Sequence, residues 1–93
     1  MIIRKLIRTD GTEQNFDRPI PIREAARRIG ADTLHTITLA DRKHVMLIDD
    51  IGIEKDLPIN PEATRLYHEV CVPGTTHQIR GDVVIVPDAD HAG

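Results

Sequence analysis

The sequence contains no serine and no tryptophan, and one residue each of phenylalanine, tyrosine and cysteine, at Phe16, Tyr67 and Cys71. Without serine there is no G-x-S-x-G nucleophile elbow. A lone cysteine closes no internal disulfide, and nothing points to secretion. The scarcity of rings argues against stacking on single-stranded nucleic acid and leaves the core to Ile, Leu and Val. Charge of one sign is also missing: 12 Lys+Arg against 15 Asp+Glu give a net charge of −3, which removes the general electrostatic case for DNA or RNA binding. No apolar run approaches a membrane span. The opening MIIRKLI is too short and too charged for a signal peptide. A cytoplasmic protein without a membrane or nucleic-acid partner is the expectation. At 93 residues, 40% hydrophobic and 29% charged, the chain reads as one globular domain over residues 1–87, followed by a flexible tail, DADHAG, over 88–93.

The strongest local signals lie in residues 57–87. Asn60 reads as an N-cap, Pro61 as the first helical residue and Glu62 as first-turn negative charge. Ala63, Leu66, Tyr67 and Val70 recur at i, i+3, i+4, i+7 and make one apolar stripe, with Leu66 in the core. Pro73 and Gly74 stop the helix. Val83-Val84-Ile85-Val86 is apolar on both strand faces, the pattern of a central strand covered on both sides.

Upstream, residues 1–7 read as a strand, with Ile3 and Ile7 on one face and Ile2, Arg4, Leu6 and Arg8 on the other. Asp10-Gly11 predicts a two-residue hairpin turn. A polar edge strand returns over 13–17, with Phe16 its core residue. Pro19 and Pro21 stiffen the next connection. A short helix follows, with Ile22, Ala25, Ala26 and Ile29 as its stripe, Gly30 as its stop and Glu24 placed to pair with Arg28. Residues 33–40 alternate, and 44–48 return as a second hairpin. A three-residue loop would set Leu39 opposite Val45 and Ile37 opposite Leu47, and a two-residue loop would set Leu39 opposite His44. The first keeps apolar residues paired and is the expected register. The element order is therefore β-β-α-β-β-α-β, an α+β domain with one mostly antiparallel sheet and two short helices. If the first hairpin fails, the order reduces to the ferredoxin-like β-α-β-β-α-β.

The histidines, His35, His44, His68, His77 and His91, have no metal-ligand spacing, and neither C-x-x-C nor H-E-x-x-H occurs. His68 and Cys71 share a helix side, but two ligands do not make a site. The acidic connection carrying Asp49, Asp50 and Glu54 lacks the frame of a calcium loop and reads as a solvated acidic loop; as a functional element it would suit a basic partner surface. The loop Gly74, Thr75, Thr76, His77 lacks the phosphate-loop lysine, yet it joins a helix to a strand and is a natural binding loop. Cys71 beside His68 and Thr76 beside His77 have no orienting acid or oxyanion hole, so no catalytic residue, cofactor or metal is assigned. Residues 21–37, PIREAARRIGADTLHTI, imitate a helix-turn-helix. The period-two, β-branched 33–39 contradicts a recognition helix.

The stretches LPINPEATRLYHEV and IRGDVVIV, preceded by the short helix ending at Ile29-Gly30 and by the hairpin before Asp49-Asp50, resemble a family of small proteins of unknown function encoded by phages, plasmids and bacterial genomes. The resemblance implies no catalytic residues. It implies a small non-enzymatic binding protein of a mobile element, such as a phage-encoded inhibitor of a component of bacterial immunity, with a host protein as partner. Two readings compete with it: a nucleic-acid-binding or regulatory module using Arg23, Arg27 and Arg28, and a small enzyme or ligand-sequestering protein using Gly74, Thr75, Thr76 and His77. A homodimer is also expected, because Ile2 and Leu6 need cover on the second face of the first strand.

Overall fold

The computed structural model describes residues 2–90; Met1 of the first expected strand and residues 91–93, His91 among them, lie outside that range. The chain forms β1 (Lys5–Ile7), β2 (Glu13–Asn15), α1 (Ile22–Ile29), β3 (Leu34–Thr38), β4 (His44–Asp49), α2 (Pro61–His68), β5 (Val83–Pro87) and a 3-10 turn (Asp88–Asp90). The fold is α+β. Five strands make one sheet in the order β2-β1-β5-β4-β3, and every neighbouring pair is antiparallel. The first hairpin forms, so the reduced ferredoxin-like order does not apply.

Pleating sends alternate side chains to opposite faces, and each face has its own helix. Leu6, Val45, Leu47, Val84 and Val86 meet Ile20, Ala25 and Ile29 on the α1 side. Ile7, Ile37, Leu39, Met46, Val83 and Ile85 meet Ala63 and Ile79 on the α2 side. All five residues of β5 are buried, as expected of a central strand covered twice.

Asn60 joins these layers. It is fully buried; its Oδ1 accepts from the Ala63 N–H (3.1 Å), while Nδ2 donates to the carbonyls of Ile7 (3.1 Å) and Gly81 (3.0 Å). One side chain thus caps α2, ends β1 and fixes the entry to β5. One turn on, the Thr64 hydroxyl accepts from the Ile79 N–H at 2.9 Å. At the far end, His44 is buried. Its Nδ1 lies 2.6 Å from the Asp41 carboxylate and its Nε2 accepts from the Ile3 N–H at 2.9 Å.

Several expectations change. The first turn has three residues, 9–11: Arg8 N–H meets the Thr12 carbonyl at 2.9 Å, and only Gly11 takes positive φ, at 90°. The preferred register of the second hairpin is wrong, and the alternative, Leu39 opposite His44, is the one that forms. Ile37 faces Met46 and Thr38 faces Val45, and the Leu39 N–H donates to the His44 carbonyl at 2.9 Å. The cause is Asp41, whose Oδ1 accepts from the Lys43 and His44 N–H groups (both 2.9 Å) and closes a four-residue loop, with Arg42 at φ 59°. On α1, Ile22 drops out of the stripe and is exposed. α2 ends at His68, so Val70 lies beyond it and is exposed, and Leu66 is only half-buried. Phe16 is half-buried under the Arg28 guanidinium, 4.9 Å from its ring centre. Leu6, 4% exposed, is covered by α1, so it needs no second copy. The tail begins with an anchored turn, in which the Asp90 carboxylate is held by two nitrogens of Arg4 at 2.9 and 3.1 Å.

Candidate functional site

The sheet has two open edges of different character. β2 is three residues long and polar, with Glu13 paired to Lys5 across the hairpin. β3 is five residues long, LHTIT, with neither proline nor a charged carboxylate or ammonium group, and among the described residues it pairs only with β4. Its ladder is bracketed by two hydrogen-bonded positions: Leu39 N–H to the His44 carbonyl (2.9 Å) and Asp50 N–H to the Thr33 carbonyl (3.1 Å). Antiparallel ladders alternate, so the odd-numbered residues turn their backbone groups toward β4. Leu34, Thr36 and Thr38 therefore turn theirs to the open edge.

Beside that edge, on the α2 side of the sheet, lies a cleft of about 250 Å³. His35 and Ile37 of β3, Ile48 of β4, Asp50, Ile53 and Glu54 of the following connection, Tyr67 of α2, and His77 and Ile79 line it. The connection after β4 is a compact turn, with Gly52 N–H on the Asp49 carbonyl (3.2 Å) and Lys55 N–H on the Ile51 carbonyl (3.1 Å). The loop before β5 is pinned to α2, because His68 Nε2 donates to the His77 carbonyl at 2.7 Å and the Tyr67 and His77 rings meet edge-on at 5.8 Å.

The two segments singled out in the sequence thus meet in this cleft, through Asp50, Glu54 and His77. Asp49 belongs to the other face. It is buried, receives the Lys55 ammonium at 2.8 Å and the Ile51 N–H at 3.0 Å, and Lys55 also donates to the Gly30 carbonyl at 3.1 Å. That carboxylate ties the connection to the end of α1 and is not free to bind. Gly74 takes φ 92° in the turn, and the Thr75 hydroxyl is spent on the Val72 carbonyl at 2.8 Å. Thr76 is exposed, and neither it nor Gly74 or Thr75 lines the cleft. Sequence reasoning missed His35 and Tyr67. The alternation that put His35 on the face of Ile37 and Leu39 was the available signal for the first.

Hydrogen bonding to the Cys71 side chain, reinforced by desolvation, pushes the Tyr67 phenol above its ordinary value, so it stays neutral near pH 7. The most buried histidine, His44, has both ring nitrogens committed and sits elsewhere. Among the described residues, no three His, Cys, Asp or Glu side chains come together as a metal cluster. A second cleft, of about 280 Å³, lies along the other flank of α2 beside Lys5, Glu62, Arg65 and Glu69. Its charges are already matched: Arg65 holds Glu62 at 2.6 Å and Lys5 holds Glu13 at 3.2 Å. Of the three arginines on α1, Arg28 is taken by Glu24 at 2.9 Å, leaving Arg23 and Arg27 exposed.

No family model matches the chain, and searches of the curated proteins and of the solved structures find no match either. Among the described residues no helix is long and apolar enough to cross a membrane.

Proposed function

We propose that this is a small, non-enzymatic protein-binding module that adds an extended segment of its partner to the open edge of β3. The observation that carries the reading is the edge itself: Leu34, Thr36 and Thr38 offer backbone donors and acceptors along an uncharged, proline-free strand. Natural edges are usually blunted, by shortness and charge as at β2, and an unblunted one is the standard platform for strand addition. A cleft beside the edge supplies side-chain selectivity. On this reading the partner is a host protein met in the cytoplasm, as the resemblance to small mobile-element proteins implies.

The test uses the outward N–H of Thr36. Thr36→Pro deletes that donor and leaves the β3–β4 ladder its own bonds. Random extended peptides displayed on particles are selected on the wild-type protein. The expected binders are lost on Thr36→Pro and slow hydrogen exchange at the Thr36 and Thr38 amides. Binders that ignore the substitution and leave those amides unprotected overturn the proposal.

A further inference from the structure

Resting on that reading, we propose that the segment received by β3 carries a lysine or arginine whose side chain enters the cleft between His35, Asp50, Glu54, Tyr67 and His77. Most acids of the chain already face a cation or a backbone donor: Glu13 faces Lys5, Glu24 faces Arg18 and Arg28, Asp49 faces Lys55, Glu62 faces Arg65, and Asp90 faces Arg4. Asp50 and Glu54 are exposed, show no ion pair among the described residues, and share this one cleft. The floor beneath them is aliphatic, made of Ile37, Ile48, Ile53 and Ile79, and Ile53 is 55% exposed. A carbon stem ending in a cation matches both features: the stem covers the isoleucines while the head meets the carboxylates and the neutral Tyr67 ring.

Register places that side chain. A residue lying opposite His35 or Ile37 on an added strand points to the α2 side, where the cleft opens, and its neighbours point to the α1 side. A second copy of this chain meets the edge geometry but not the chemistry. Its own β3, LHTIT, has no lysine or arginine to place in the cleft. Charge complementarity therefore favours a basic segment of another protein. The cleft on the other flank of α2 gives no such preference, because its cations and carboxylates are matched already.

The probes are four capped peptides, Thr-Val-Thr-Xaa-Thr-Val-Thr, with Xaa lysine, arginine, norleucine or glutamate. Each is titrated into the 15N-labelled protein. The lysine and arginine peptides are expected to shift the Leu34, Thr36 and Thr38 amides and to bind about tenfold or more tighter than norleucine, with glutamate weakest. The double variant Asp50→Asn/Glu54→Gln changes two exposed side chains, and should erase the preference for lysine while keeping the edge shifts. Equal binding of lysine and norleucine at β3 overturns this inference and leaves strand addition standing. If no peptide moves the β3 amides, or the protein alone dimerises through β3 in light scattering, strand addition of a foreign segment falls as well.

Discussion

Asn60 does more than cap a helix. An exposed cap replaced by alanine costs about 1 kcal/mol. Here the same change strands the Ala63 N–H and the carbonyls of Ile7 and Gly81 in a dry interior, at about 1–3 kcal/mol for each group left unpaired and unrelieved by water. Asn60→Ala should therefore cost about 3–5 kcal/mol in urea unfolding. Aspartate is as good a cap in isolation, but it has no N–H to give those carbonyls and would face them with a carboxylate. Asn60→Asp should thus be at least as damaging as Asn60→Ala. A mild Asn60→Asp variant would mean that capping is all this residue does.

At the scale of elements, α2 is held by small residues. Ala63 is fully buried against the sheet and Leu66 is half-buried, so the helix sits close. Ala63→Leu should cost about 1–3 kcal/mol by lifting the helix, and Leu66→Ala about 1–2, less than a fully enclosed leucine; thermal melts of both variants check this order. The same helix shows what the sequence made legible. Asn60, Pro61 and the apolar spacing marked its start and inner face, because capping and period are local physics. Its end was misplaced at Val70, since the turn after His68 is held by backbone bonds that no residue type announces. The β3–β4 register failed for a related reason. Pairing apolar residues favoured the wrong register: Asp41 gathers two N–H groups in the turn, and those short-range bonds set Leu39 opposite His44, the alternative that the apolar argument ranked second. Of the site, Asp50, Glu54 and His77 were legible as loop residues. Their meeting with His35 and Tyr67 depends on strand order, which no local pattern encodes.

The whole molecule is tuned by charge pairs at its surface and rim. The Arg18 and Arg28 guanidiniums hold the Glu24 carboxyl at about 2, from an ordinary 4.5. Bonds from the Lys43 N–H and the His44 ring and N–H hold Asp41 at about 2, from 3.8. Both are depressed on folding, so their contribution is complete above about pH 5 and is lost as pH falls toward 2. The melting temperature should fall across that window, and Glu24→Gln should flatten part of the slope. With a net charge of −3 and, among the described residues, only Arg23 and Arg27 of the α1 arginines outside an ion pair, the protein should not retain duplex DNA at physiological salt in a gel-shift assay. A sub-micromolar, sequence-selective complex would restore the nucleic-acid reading.

The place of β5 has a consequence for how the chain reaches this state. The strand is made last yet lies in the middle, between the two hairpins, with Leu6 facing Val84 and Met46 facing Ile85. Until Val83–Pro87 leaves the ribosome, the hairpins have no common sheet, and each shows a bare inner edge of Leu, Ile, Val and Met residues. The nascent chain is then a pair of sticky ribbons, and its pairings of large sequence separation close slowly. A stalled chain ending before Val83 should be protease-sensitive and prone to aggregate, and extension through Pro87 should give a single cooperative collapse.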